Sequence, residues 1–169
     1  MKRILIMVVT LMPLMLMAQV KIGVVNTQQL FNLMPEKAAA EAQLKTLSDR
    51  YHAEYELLRS EFDKKYADFQ TVAADPSYPE TIKERRVQEL QESDKKMREF
   101  EDRAAKEIDA QREALTKPIT DKIQEAIRQA GEQGAFDLIL DTALTPVAYM
   151  GPNTVDANPI VKAILGLEY

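Results

Sequence analysis

Apolar positions recur at steps of three and four residues through the middle of the chain. The first run follows a 3, 4, 4 rhythm, an 11-residue period that predicts a nearly straight or slightly right-handed supercoiled helix. Its members are Leu44, Leu47, Tyr51, Tyr55, Leu58, Phe62, Tyr66 and Phe69. A second run with the same rhythm contains Met97, Phe100, Ala104, Ile108, Gln111, Leu115 and Ile119. Since no glycine occurs between residues 36 and 130, we predict two long helices.

The segment AADPSYPE, residues 73–80, separates the two helices. Its two prolines, with Asp75 and Ser77, stop one helix and start the next. Each helix has one narrow apolar stripe, and antiparallel pairing buries both stripes against each other. We therefore predict a helical-hairpin coiled-coil arm over residues 36–130 with its tip near 73–80. Pro118 should interrupt and kink the return helix where the arm meets the body.

The two ends of the chain have a different pattern. KIGVV near the start predicts a strand, and FDLILD (136–141) and PVAYM (146–150) predict two more near the end. Asn26 resembles a helix N-cap, and Asn158 followed by Pro159 predicts a short closing helix that stops at Gly166. We predict an α+β fold, mostly α, whose small β body is built from residues 19–35 and 131–169.

A body of this size is marginal on its own. It would hold roughly 55 residues, bury only about 60% of its unfolded surface and leave two open sheet edges. We therefore predict a homo-oligomer joined through the strand bodies, with Gly131 and Gly134 joining Pro118 as candidate hinges for the arms. The residues assigned to the oligomerisation body are Ile22, Val24, Val25, Leu138, Ile139, Leu140, Val147 and Tyr149.

Residues 1–18 have the pattern of a secretion signal. Lys2 and Arg3 precede an apolar run that ends at the small residue Ala18. We predict cleavage near Ala18, because the run is shorter than the roughly 20 residues that a membrane anchor, the alternative, would need. Removing the two bases takes the net charge from −5 to −7, since 20 − 27 = −7. That charge argues against nucleic acid as a partner.

Residues suited to catalysis or metal binding do not converge in this sequence. His52 is the only histidine and there is no cysteine, so we interpret His52 as a surface or seam residue and exclude a thiolate or histidine-rich metal site. No phosphate-binding glycine loop or nucleophile motif occurs. We predict a protein that is not an enzyme and has no cofactor.

The opening and closing motifs resemble those of the Skp/OmpH family of periplasmic chaperones. The matching segments are KIGVVN (21–26) followed by Leu30 and Phe31, then DLILD (137–141), and VAY (147–149). The resemblance implies a homotrimer around a small β-barrel, with arms enclosing unfolded outer-membrane proteins and no use of ATP. The family's best-known members are strongly basic, whereas this chain has 18 bases against 22 acids between residues 36 and 130. The acidic charge argues against contact with membrane lipid, and we carry over no lipopolysaccharide site.

Two questions about the arm remain open at this point. Its aromatic residues either only pack the seam or also offer half-covered rings to unfolded clients. The candidate client-binding residues are Tyr51, Tyr55, Phe62, Tyr66, Phe69, Val72 and Tyr78. The rival function is a structural or adaptor coiled coil that bridges cell-envelope components. A docking hairpin of that kind would need a second apolar stripe on its outside, and the sequence has none sustained over several turns.

Overall fold

The computed structural model describes residues 20–167, so the predicted signal peptide over residues 1–18 lies outside the described residues. Two long helices dominate this part of the chain, with three short strands and two short helices beside them. In chain order the elements are β1 (Ile22–Val25), α1 (Thr27–Leu33), α2 (Pro35–Ala74), α3 (Glu80–Gln133), β2 (Leu138–Asp141), β3 (Val155–Asp156) and α4 (Asn158–Ile164). The predicted mixed, mostly helical fold is confirmed.

Helices α2 and α3 pack along their length and run in opposite directions. Glu36 pairs with Lys122 near the body, and the ring of Tyr51 packs edge-on against that of Phe100 with centroids 5.8 Å apart. Nearer the tip, Lys65 Nζ donates to Ser93 Oγ at 2.6 Å. Residue numbers in α3 therefore decrease in the direction in which those in α2 increase, so the two helices are antiparallel. At a rise of about 1.5 Å per residue, α2 is about 60 Å long.

Pro118 lies inside α3, which is continuous from Glu80 to Gln133. The predicted interruption of the helix is wrong, whereas the predicted kink at Pro118 stays a prediction. A proline removes one backbone hydrogen bond, but residues on both sides of Pro118 are held by packing: Ile119 is 3% exposed and Leu115 packs against the same cluster. This tertiary support outweighs the loss of one bond.

The sheet joins the two ends of the described chain. Its strand order is β2-β1-β3, and both pairs are parallel. In register, Ile22 lies opposite Leu138 and Val25 opposite Asp141. The predicted pairing of the opening strand with residues 138–141 is confirmed. Parallel strands need a crossover connection, and here α1 and the whole two-helix arm provide it.

Residues 146–150 do not form the second closing strand, and that prediction is wrong. The third strand is β3, only two residues long, and it occupies the second edge of β1. Ala157 N extends the contact by donating to Val24 O at 2.9 Å. With both edges of β1 taken, and with no N–H on Pro146, residues 146–150 have no strand partner on β1.

The hydrophobic core lies between the sheet and the last part of α3. Its largest fully buried side chains are Leu30, Ile123, Val25 and Val161. Ile119, Ala126 and Ala130 belong to the same cluster. The core therefore includes the last part of α3, although the prediction from sequence assigned residues up to 130 to the arm. The arm and the body therefore share α3.

Side-chain hydrogen bonds fix the short helices onto the strand ends. Asn26 Oδ1 accepts from Gln29 N at 2.9 Å and caps α1 as predicted. The predicted cap at Asn158 is wrong, since Ala157 is the N-cap residue of α4. Asn158 Oδ1 instead accepts from Asn26 N at 3.0 Å, because β1 ends directly beside the start of α4. The two chain ends are thereby tied to each other.

The C-terminus of α3 ends in a Schellman motif. Phe136 N donates to Gly131 O at 3.0 Å and Ala135 N donates to Glu132 O at 3.3 Å. Ala135 has a positive φ of 47°, the left-handed conformation that usually carries glycine. This turn sends the chain from α3 directly into β2.

Candidate functional site

The aromatic stripe of α2 mainly forms the seam of the arm. Tyr51, Tyr55, Phe62 and Phe69 are half-buried, and the rings of Phe62 and Tyr66 stack with centroids 6.3 Å apart. A hydrogen bond to the Glu101 carboxylate raises the pKa of the Tyr55 hydroxyl above its ordinary value. Four of the predicted client residues therefore have much of their ring surface in the helix pair.

The tip of the arm is more exposed. Within the described arm, the exposed large apolar side chains are Leu57, Tyr66, Tyr78, Ile82 and Val87, and all except Leu57 lie between residues 66 and 87. Val72, also predicted to contact clients, is 7% exposed. It offers almost no surface because it faces the inside of the tip. Ile82 and Val87 are also exposed, but they were not among the candidate residues from the sequence. Val87 lies off the apolar stripe in a polar stretch, and that position could have predicted its exposure.

A groove follows the helix pair next to the tip loop. Phe69 and Ala73 of α2 line it together with Glu80, Lys83, Glu84, Val87 and Gln88 of α3, and its volume is about 440 Å³. The tip loop beside it is held by a short turn in which Ser77 N donates to Asp75 Oδ1 at 2.8 Å. Hydrogen bonds from Ser77 hold the pKa of the Asp75 carboxyl below its ordinary value.

The sheet has one covered face and one that is largely apolar. Val25 and Ile139 face the helices and belong to or pack against the core cluster. Successive side chains of a strand point to opposite faces, so Ile22, Val24, Leu138 and Leu140 share the other face. Leu138 is 49% exposed, and none of these four belongs to the core cluster. We call Ile22, Val24, Leu138 and Leu140 the outer sheet face.

The loop between β2 and β3 is rich in exposed apolar side chains. Leu144 and Tyr149 are each 81% exposed and Met150 is 52% exposed, while Val147 is half-buried. Parallel sheets are usually covered on both faces. Met150 lines a pocket with Val24 of the outer sheet face, whereas Leu144 lines another pocket with residues of α1 and α3.

The junction of arm and body contains the predicted hinge residues. Pro118 and Pro35 line one cavity of about 590 Å³, and Lys122 bridges to Glu36 beside it. That hydrogen bond lowers the pKa of the Glu36 carboxyl. A Cβ at Gly134 would come within 2.4 Å of the Phe136 ring, so packing demands glycine there. At Gly131 a Cβ would meet nothing closer than 3.7 Å.

The sequence offered His52 as its only histidine for catalysis or metal binding. Within residues 20–167, no group of three or more His, Cys, Asp or Glu side chains is placed to hold a metal ion. His52 is exposed. No helix in the same range is long and apolar enough to cross a membrane. A further groove of about 430 Å³ lies in the middle of the arm, between Leu47 of α2 and Gln111 of α3.

The fold is thus a two-helix arm on a small parallel sheet with an apolar outer face. Residues 21–165 match the family described as outer membrane protein (OmpH-like), and the chain belongs to this family. The resemblance found in the opening and closing motifs is thereby confirmed. The family is one of periplasmic chaperones and is not known for catalysis. Among curated proteins, none matches the chain.

Proposed function

We propose that this protein is an ATP-independent periplasmic holdase that holds unfolded outer-membrane proteins between the arms of a homotrimer. The observation that carries the proposal is the outer sheet face, which lies at the foot of an arm about 60 Å long. Family membership supplies the class of client, since it favours a chaperone-like function toward outer membrane proteins.

The outer sheet face supports assembly through the bodies. Ile22 and Leu138 lie side by side in register, as do Val24 and Leu140. Covering these side chains with those of neighbouring copies would remove apolar surface from water, worth about 25 cal/mol per Å². The free edges of β2 and β3 add unpaired backbone groups to the same surface. Val25 and Ile139 support the surface from within, and Val147 and Tyr149 lie in the loop beside it.

The arms would then project from the shared platform and bound a common space. Their surfaces have many small contacts rather than one deep site, which suits a client that must later leave. Tyr51, Tyr55, Phe62, Tyr66 and Phe69 would offer the exposed parts of their rings along this space, with Tyr78 at the end. Pro118 and Gly131 are the proposed hinges, while Gly134 is held by its contact with Phe136. The acidic charge of the arms gives no support for binding to anionic lipid.

Export fits the same function. The predicted signal peptide ends near Ala18, and β1 begins at Ile22. Lys21 N donates to Asp137 Oδ2 at 2.7 Å and Lys21 Nζ donates to Gly134 O at 2.5 Å. The body therefore begins within a few residues of the proposed cleavage site, and the mature chain keeps the three strands of the described residues.

Aggregation suppression and mass in solution test the proposal together. The full mature chain should suppress light scattering by an unfolded outer-membrane β-barrel protein without ATP, and its mass should be that of three copies. Leu138→Lys places a charge on the outer sheet face and should dissociate the assembly and abolish suppression. Leu33→Lys is the matched control, because Leu33 is 50% exposed on α1 and lies off the sheet. A stable monomer, or unchanged scattering at excess chaperone, would refute the proposal.

The adaptor function has weaker support. It needs a continuous apolar stripe on the outside of the arm, and the described arm has only Leu57 as an exposed large apolar residue before the tip region. A bridging protein would bind a folded envelope component, but it would not suppress the aggregation of an unfolded one. The scattering assay therefore separates the two functions.

A further inference from the structure

A polar layer crosses the seam of the arm between its aromatic packing and its tip. Lys65 Nζ of α2 donates to Ser93 Oγ of α3 at 2.6 Å, and Ser93 Oγ donates to Glu89 O at 2.9 Å. Ser93 is 8% exposed, and within residues 20–167 it is the only buried polar residue. The hydrogen bonds of this layer can be exchanged for bonds to water at little net cost. The layer therefore holds the two helices together less firmly than buried apolar side chains would.

The seam contains few apolar contacts on the tip side of this layer. Among residues 66–92, Val72 is the only buried apolar residue. On the body side, by contrast, Phe100 is 4% exposed and its ring meets that of Tyr51. The half-buried positions of α3 between the tip loop and the layer are mostly charged: they are Lys83, Arg86, Glu89 and Leu90. The outer end of the arm therefore buries less apolar surface between its helices than the part below it.

The other side chains of the tip do little to join its two helices. Tyr66, Ile82 and Val87 are exposed and lie off the seam. Arg86 pairs with Glu89, and Lys83 pairs with Glu80, so these ion pairs lie within α3 and support that helix alone. Beyond the layer α2 runs only from residue 66 to residue 74, which is shorter than the roughly 12–15 residues that an isolated helix needs. The outer part of α2 therefore depends on a weak seam for its stability.

We propose that the polar layer is the boundary of a tip unit, residues 66–92, whose two helices separate while the rest of the arm stays paired. Opening begins at the tip loop and reaches the layer, where the hydrogen bonds of Lys65 and Ser93 pass to water. It stops before the contact of Tyr51 with Phe100, because opening there would expose buried ring surface. This inference goes beyond the proposed function, since it concerns the arm of one copy and holds for any number of copies.

Hydrogen exchange read by mass spectrometry tests whether the tip unit opens by itself. In the full mature chain, amide protection in residues 66–92 should be roughly tenfold lower than in residues 97–104. Lys65→Met combined with Ser93→Ala makes the layer apolar, because methionine keeps the length of the lysine stem without its charge. Protection in the tip unit should then rise roughly fivefold, since two hydrogen-bonding groups are replaced by apolar ones. Lys64→Met combined with Ser60→Ala is the matched control at exposed positions off the seam, and it should leave that protection unchanged.

Single thiols give a second readout at buried positions. Because the chain has no cysteine, Val72→Cys and Ala104→Cys each place the sole thiol on one side of the layer. Val72 and Ala104 are 7% and 8% exposed, so a thiol at either position reacts only when the helices separate. A thiol-reactive reagent should label position 72 roughly tenfold faster than position 104. The apolar layer should slow the labelling of position 72 and leave that of position 104 unchanged.

Three results would overturn the proposal. The first is equal protection in residues 66–92 and 97–104 of the wild type, and the second is an equal effect of the two double variants on the tip. The third is equal labelling of positions 72 and 104, because the whole arm would then open as one unit. If the variant with the apolar layer does not fold, wild-type exchange and the two thiols still decide between one opening unit and two.

Discussion

The carboxylate of Asp141 joins the end of β2 to the start of α1, and its removal tests how the body is closed. Its Oδ2 accepts from Thr27 Oγ1 at 2.5 Å, and its Oδ1 accepts from Thr27 N at 3.1 Å and from Ala143 N at 2.9 Å. The two contacts with Thr27 connect residues 114 positions apart. Asp141→Asn keeps the shape and one acceptor oxygen, but it removes the charge and offers an NH₂ group toward the Thr27 hydroxyl.

The expected cost of Asp141→Asn is about 1–2 kcal/mol in the stability of the body. Hydrogen bonds to charged groups contribute about 1.5–3 kcal/mol, and the asparagine retains part of that. Since about 1.4 kcal/mol corresponds to a factor of ten, amide exchange protection in β1 and β2 should fall roughly ten-fold. Asp121→Asn is the control, because Asp121 is exposed and, within residues 20–167, its ion pair is with Lys117 one turn away. It should change protection little.

The contribution of Asp141 should also depend on pH. Partial burial by itself raises the pKa of Asp141, but the hydrogen bonds from Thr27 and Ala143 together outweigh it and hold the pKa below the ordinary 3.8. The stabilisation is therefore fully present above the ordinary value and is lost as the pH falls through the lower folded-state pKa. Urea unfolding of the wild type and of Asp141→Asn should differ at pH 7 and converge in strong acid.

Hydrogen exchange read by mass spectrometry on peptides from β1 and β2 reports the body separately from the arm. The helices dominate circular dichroism, so that signal alone would hide the effect. Asp141 does not close the body in this way if Asp121→Asn lowers protection in β1 as much as Asp141→Asn does. The same conclusion follows if wild type and Asp141→Asn differ in urea as much in strong acid as at neutral pH.

Two further substitutions test the core and the end of α3. Ile123→Ala should destabilise the body by about 3 kcal/mol, because Ile123 is 2% exposed and its loss leaves a cavity. In the same exchange measurement, Ile82→Ala at the exposed tip should lower stability by under about 1 kcal/mol. If Ile123→Ala and Ile82→Ala lower stability equally, the last part of α3 is not in the core. Ala135→Gly should stabilise the chain by roughly 0.5 kcal/mol, since glycine adopts the positive φ at no steric cost but has a more flexible unfolded state. A lower thermal midpoint for Ala135→Gly than for the wild type would show that the positive φ of Ala135 is not unfavourable.

The long elements could be predicted from sequence because each carries a repeated signal. Two sustained stripes without glycine define α2 and α3, and the prolines of the tip separate them. The strand at 138–141 follows from a short apolar run after two glycines. These patterns reflect burial along one face of an element, which a sequence records directly.

The parts that could not be predicted depend on tertiary contacts. β3 is two residues long and includes Asp156, so no alternation marks it. Residues 146–150 have strand-forming composition but no free edge of β1 to pair with. Pro118 has the local signal of a helix break, and only packing by Ile119 and its neighbours keeps the helix intact. Tyr66 and Tyr78 were among the candidate residues from the sequence and are exposed, whereas Val87 lies off the stripe and its exposure was not predicted.

The two ends of the chain carry specific sequence motifs, whereas the arm carries only a repeated apolar pattern. This difference follows from how the strands pair in the sheet. Ile22 must meet Leu138, and Thr27 must meet Asp141, with fixed register and fixed hydrogen bonds. Few residue types satisfy those contacts, so the ends carry a specific sequence signature. The arm has to bring the chain back beside β1 so that β2 can pair with it. Any two helices with matching apolar stripes can do this, whatever residues lie outside the seam. The residues outside the seam are therefore not fixed by the fold.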